Sequence, residues 1–401
     1  MSIKQKIFYF CPTLIAFLLP FGNSITSIPI AIWVLSSFFN FDKTKFKQGV
    51  KNKHFLLLNT FFLLTCLSYF FTSNKHEALI AIEVKLSFLF FPFLFFCFSW
   101  PLEIIQRIVV SFVSGSFFAC ILLIARASYF SFQGNDSYFS YNAFSAFMHP
   151  SYFAMYLILA IAFVVTLYKN WFKNQPTILR TSYIFVGIFM LSIFLCASKM
   201  GLLTFFICLP LIIVKRFKIQ FSVKNIFISL SLILLGILIL PKLFPNAFER
   251  IIAVKQVSTG SIDKTSSESN AVRILIWEQC VQLIKQNFII GTGVGDTNDD
   301  LYKSYELNGL TGAFEHKLNA HNQYFQTFIG LGILGFIALG LITFMQLIVS
   351  ISKKYFLQII FFLLISFNFV AESMLQTSAG VLFFAFFYSV LVSKQQKELE
   401  H

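Results

Sequence analysis

Charge is scarce in this sequence. Asp, Glu, Lys and Arg together make up 12% of its 401 residues. A soluble domain carries about 25%, so the chain has too little polar surface to cover a water-soluble body of its length. Acids are scarcer than bases, 17 against 31, for a net charge of +14. The basic residues sit in short stretches between apolar runs, which favours membrane topology over nucleic-acid binding. Cysteine provides no metal site: of the seven, all but Cys280 lie in apolar runs, and no pair has ligand spacing or suggests a disulfide framework. His316 and His321 are five residues apart, a poor metal spacing with no acidic or Cys partner. No Gly-Lys-Ser/Thr follows the glycine-rich stretch, so it is not a nucleotide-binding Walker loop. No metal or other cofactor is expected. No small-residue cleavage site follows Lys4 and Lys6, so the first apolar stretch is expected to be a membrane helix and not a signal peptide. An internal repeat is also missing, which counts against a transporter built from inverted halves.

What the chain does have is apolar length. Hydrophobic residues reach 57%, Phe alone contributes 56 residues, and mean hydropathy is +0.77. Runs near 7–21, 23–40, 55–73, 79–99, 107–129, 151–168, 181–197, 201–214, 226–245, 326–350, 356–373 and 379–393 predict about twelve spanning helices. With that count the basic clusters of 41–54, 169–180 and 215–224 fall on the side of the N-terminus. So do Lys353 with Lys354, and Lys394 with Lys397. The positive-inside rule makes that side the cytoplasm and places both termini there. The predicted fold is an all-α polytopic membrane protein with one large outer loop between helices nine and ten. The divisions are membrane helices one to nine in 1–245, the outer loop in 246–325, helices ten to twelve in 326–393 and a cytoplasmic tail in 394–401.

The outer loop gathers most of the polar residues. Residues 256–270 read as a flexible link. An amphipathic helix is predicted over 271–287. Val272, Ile274, Ile276, Trp277, Cys280, Val281, Leu283 and Ile284 form its apolar face; Glu278, Gln279, Gln282, Lys285 and Gln286 form its polar one. Arg273 falls on the apolar side beside Trp277, where a desolvated charge must be paired or must snorkel. Alternatively it faces an anionic ligand, for which its planar fork is suited. Gly291, Gly293 and Gly295 follow. They form either turns after the helix or a nest of backbone N–H groups for an anion. His321-Asn322 stands just before the tenth run, and a histidine there is a candidate general base near neutral pH. Lys199, in the outer turn Ser198–Gly201, either snorkels or holds a phosphate. Lys85, with Glu83, lies in the outer part of the fourth run, and ionisable groups at such depth are functional candidates. His149-Pro150 opens the sixth run, where proline is at home in a first turn.

Taken in order, these residues resemble the O-antigen ligase and polymerase family. The matching features are Ser198-Lys199-Met200-Gly201, Arg273, Trp277, Gly291, Gly293, Gly295, His321, Asn322, and Gly330, Gly332 and Gly335 of the following helix. Lys199 stands where the family usually has Arg, which keeps the charge and loses the fork. The resemblance implies a bacterial inner-membrane glycosyltransferase working at the periplasmic face. Its donor is a glycan on undecaprenyl diphosphate, and its acceptor is lipid A–core or another lipid-linked glycan. It implies a metal-independent, inverting reaction within surrounding membrane lipids and without nucleic acid. His321, Arg273 and Lys199 are the implied catalytic residues. Asn322, Trp277, Gly291, Gly293, Gly295, Lys85 and His149 are the candidate substrate-binding ones. Ligase is the preferred reading and polymerase the alternative. A protein O-oligosaccharyltransferase, or a non-enzymatic lipid or glycan transporter, ranks behind both.

Overall fold

The computed structural model describes residues 2–22, 25–168, 171–172, 174–217, 264–265 and 270–393. Among the described residues every regular element is helical. Six helices among the described residues are long and apolar enough to cross a membrane: Lys75–Phe96, Leu102–Phe132, Pro150–Tyr168, Pro176–Leu195, Lys199–Phe217 and Gln323–Ser352. Shorter apolar helices cover Ser27–Phe38, Lys53–Ser68, Phe356–Ala371 and Ser378–Val392. The ninth run, 226–245, and the tail 394–401 lie outside the described residues, as does most of the link at 256–270.

Polar side chains start many of these helices by accepting from their first free amides. Asn52 accepts from His54, Asn74 from Glu77, Asn322 from Tyr324 and Phe325, and Thr377 from Gly380. Between the caps the runs are apolar all round, so packing decides which face is inward. Pro150–Phe163 is buried along its whole length. It packs against Pro176–Leu195, Lys199–Phe217, Phe356–Ala371 and Leu102–Phe132. Aromatic rings fill the centre: Tyr156 stacks on Phe383 at 4.2 Å, and Phe112 meets Phe387 edge-on at 4.5 Å.

Two expectations need correction. The fourth run is one span by length, but it is built from Lys75–Lys85 and Ser87–Phe96, with a break at Leu86. The amphipathic helix spans Asn270–Gln286, and its buried stripe is narrower than the periodicity suggests. Val272, Ile276, Cys280, Leu283 and Ile284 are buried, whereas Ile274 and Val281 are exposed. Gln279, expected on the polar face, is buried because its Oε1 accepts from Ser304 Oγ at 2.8 Å and Asn308 Nδ2 at 2.9 Å. That helix, Thr297–Leu307 and the start of Gln323–Ile342 enclose a second small core.

The segment 270–322 sits at one end of the helix bundle. Asp296 fixes it there: its carboxylate accepts from the Ser73 amide at 2.6 Å and the Asn74 amide at 2.7 Å. Burial pushes the Asp296 carboxyl up, but these amides outweigh it and hold it below its ordinary value. At the same end lie His149, Lys199, His321 and Glu372, each at or next to a helix terminus.

Candidate active site

Arg273 lies in the first turn of Asn270–Gln286, His321 just before Gln323–Ile342, and Glu372 just after Phe356–Ala371. Glu372 brings the other two together. Its Oε1 is 3.5 Å from Arg273 Nη2 and its Oε2 is 3.6 Å from His321 Nδ1. Their side chains are 32%, 24% and 13% exposed for Arg273, His321 and Glu372, so the carboxylate is the deepest member and the other two reach toward solvent. Arg273 is therefore paired, as an arginine on an apolar helix side must be if it does not snorkel.

The cluster is held from several directions. Asn322 donates its amide to Ser373 Oγ at 3.3 Å, and the Leu375 amide donates to Gln323 Oε1 at 2.6 Å. These two bonds fix the turn after Glu372 against the residues next to His321. The Ala320 amide donates to Gln326 Oε1 at 3.0 Å, and Trp277 Nε1 donates to the Ala320 carbonyl at 3.0 Å. The His321 amide donates to Asn319 Oδ1 at 2.9 Å. So restrained, His321 adopts φ +43°, a backbone conformation that non-glycine residues seldom occupy and that clusters at functional sites.

The electrostatics centre on Glu372. Burial raises its carboxyl, but the contact with His321 and the charges of His149, Arg273 and His321 outweigh it, so it stays ionised below the usual carboxylate range. His149 is the fourth member. Burial lowers it; Glu372 raises it, and His321 and Arg273 lower it again, leaving it below the ordinary histidine value. Its Nδ1 accepts from the Ser151 amide at 3.4 Å as the cap of its helix.

The other candidates are distributed differently. Lys199 opens Lys199–Phe217 and is half-buried. The turn before it is joined to the His149 region, since Ser198 Oγ and Ser151 Oγ are 2.9 Å apart. Asn322 caps its helix with its side-chain oxygen, and Trp277 packs edge-on against Phe325 at 5.9 Å. Lys85 is buried at 3% exposure and is not among the charges acting on Glu372. No charged partner of Lys85 is found among the described residues, and its neighbour Glu83 is exposed.

Two of the three glycines have no free amide to offer an anion. The Gly291 amide donates to Asn287 O at 3.0 Å, and the Gly293 amide to Gly330 O at 3.0 Å. They serve close approach instead: a Cβ on Gly291 would come within 2.6 Å of Gly332 N and Ile329 O, and one on Gly293 within 2.7 Å of Thr72 Cβ.

Sequence reasoning missed Glu372. It is the sole carboxylate between 326 and 393, a signal as strong as the one that singled out Lys85. Compared with known proteins, residues 184–340 match the family model described as O-antigen ligase. No curated protein matches the chain. The matched region contains Lys199, Arg273 and His321, and ends before Glu372.

Proposed function

We propose that the chain is a member of the O-antigen ligase family, whose model residues 184–340 match, and that it transfers a glycan from undecaprenyl diphosphate to lipid A–core at the periplasmic face of the inner membrane. The observation that carries this reading is the junction of Arg273, Glu372 and His321 at one end of the bundle. On the twelve-helix topology this end is periplasmic, because the basic loops occupy the other.

The reaction needs a base for the acceptor hydroxyl and a cation for the departing diphosphate. His321 Nδ1 lies 3.6 Å from Glu372 Oε2, and the carboxylate favours the tautomer with its proton on that nitrogen. Nε2 is then the basic nitrogen. The acceptor oxygen attacks the anomeric carbon and gives its proton to His321 Nε2. The bond from that carbon to the phosphate oxygen breaks, and undecaprenyl diphosphate leaves with the electron pair. Attack opposite the leaving group inverts the anomeric carbon. Glu372 steadies the imidazolium as it forms, as a buried carboxylate does for a catalytic histidine in hydrolases. Arg273 has guanidinium nitrogens beyond the one held by Glu372, and these meet the diphosphate. Lys199 supplies a second cation, with less geometric selectivity than an arginine. Charge on the leaving group is met by fixed side chains already in place.

Deleting the gene and separating the lipopolysaccharide on a gel tests the reading. Bare core with accumulated long lipid-linked glycan supports ligation. Core bearing single repeat units makes the enzyme a polymerase, and an unchanged pattern contradicts both.

A further inference from the structure

The helix Gln323–Ile342 is broken at Gly332, whose φ of +62° and ψ of −161° are not helical. In an unbroken helix Ile333 would donate to Ile329 and Leu334 to Gly330. Here a turn from the outer segment replaces those partners. Ile333 donates to Phe288 O at 2.9 Å, Thr292 donates to Ile329 O at 2.7 Å, and Gly293 donates to Gly330 O at 3.0 Å. The turn lies deep along the helix. Gly332 is the tenth residue from Gln323, roughly 13 Å down the axis at 1.5 Å per residue. A hydrocarbon core about 30 Å thick extends over that level.

At that depth the turn exposes three large apolar side chains in succession: Phe288 at 50%, Ile289 at 68% and Ile290 at 59%. They continue a surface that already faces outward on the broken helix, where Leu334 and Ile337 are 57% and 50% exposed. Phe288 touches Phe328 at 5.3 Å between ring centroids, and Phe328 stacks on Phe336 at 4.9 Å. The hydropathy reading places 287–293 in the outer loop, because glycine, threonine and asparagine interrupt the run.

We infer that 287–293 is a re-entrant turn whose Phe288, Ile289 and Ile290 are immersed in the acyl chains of the outer leaflet. Irregular backbone is tolerated in a bilayer when protein groups satisfy it, and the broken helix does so here. The immersed side chains then anchor Asn270–Gln286, and Arg273 with it, along the membrane surface where a lipid-borne donor arrives. Immersion of the turn needs only that the bundle spans a membrane; the choice of the outer leaflet and the arrival of the donor there rest on the proposed function.

Ile289→Cys and Leu307→Cys are compared in nanodiscs of phosphatidylcholine and phosphatidylglycerol, with the unsubstituted protein as background for native thiols. Leu307, 87% exposed on the outer segment, is the water-facing control. An impermeant maleimide is expected to label Ile289→Cys at least about tenfold more slowly than Leu307→Cys, as for a thiol below the headgroups. A bimane attached at 289 is expected to be quenched by brominated acyl chains, and one at 307 is not. Equal labelling rates overturn the inference. So does slow labelling without quenching, which would mean that protein, such as a second copy of the chain, covers the turn. If Ile289→Cys fails to fold, Ile290→Cys is read by the same criteria.

Discussion

Two parts of the outer segment are polar in sequence and unlike in structure. In the glycine turn, the Gly291, Thr292 and Gly293 amides are spent on backbone carbonyls, and the missing side chains let two backbones touch. At the His321 cluster, one nitrogen of the imidazole and one of the guanidinium face a carboxylate, and both groups keep capacity to spare on a partly open surface. Where polar groups satisfy one another completely, the sequence feature is architectural. Where some remain available next to a buried charge, the arrangement suits chemistry.

His321→Ala is the change that should separate the two regions most sharply. Transfer from a purified lipid-linked donor is expected to fall roughly 10²–10⁴-fold, the usual contribution of a positioned base. Donor binding should persist. His316→Ala, on an exposed turn outside the cluster, should leave the rate near that of the unsubstituted enzyme.

Arg273 comes next. Arg273→Ala removes charge-assisted hydrogen bonds of about 1.5–3 kcal/mol, so donor affinity is expected to drop roughly 10–150-fold. Arg273→Lys should recover only part of this, because the charge returns without the fork. Binding of a labelled lipid diphosphate to the purified variants measures both. Unchanged affinity in a folded Arg273→Ala would leave this arginine as a structural partner of Glu372 alone.

The glycine region is expected to answer in stability and not in chemistry. Gly332→Ala puts a Cβ into the Ile289 and Ile290 backbone at a positive φ, which should cost about 1–3 kcal/mol. The thermal midpoint in micelles should fall accordingly. Gly340→Ala in the same helix meets open space and should be near neutral. A drop in transfer without a drop in stability for Gly332→Ala would blur the distinction between the regions.

The smallest expected effect is a pH dependence. His149 is held below the ordinary histidine value, so the unfolded chain takes up its proton first on acidification. Its contribution to stability is present above about pH 6.5, the unperturbed value, and is lost as pH falls. Glu372 has the same sign at lower pH: its contribution is present above the ordinary carboxylate value of about 4.3 and disappears as pH falls through its depressed one. Thermal scans of His149→Asn should therefore show a shallower loss between pH 7 and 5 than the unsubstituted protein.

Much of the helical framework was legible, because period and length act over many residues at once. The runs at 107–129, 151–168 and 181–197 became Leu102–Phe132, Pro150–Tyr168 and Pro176–Leu195. The loop helix over 271–287 became Asn270–Gln286, although periodicity alone could not show that Ser304 and Asn308 would draw Gln279 inward. Arg273 and His321 stood out as polar residues in chemically unusual places, and the fold brings both to Glu372. Glu372 itself was hidden, because hydropathy averages it into the run at 356–373. Its partners lie far away in sequence, so only packing could bring them together. The glycines were legible as a motif but not in their role, since the carbonyls that occupy the Thr292 and Gly293 amides come from the broken helix before Gly332.

The central claim is that Glu372 and His321 act as one unit in transfer, and a double-mutant cycle on kcat tests it most directly. Glu372→Gln alone keeps the shape and removes the charge, and should cost roughly 10–100-fold by loss of a charge-assisted contact. If the carboxylate works through the histidine, adding Glu372→Gln to His321→Ala should cost less than about twofold more, as is seen for residues that act as a unit. If the two losses multiply instead, as they do for independent sites, Glu372 acts elsewhere and the dyad does not exist.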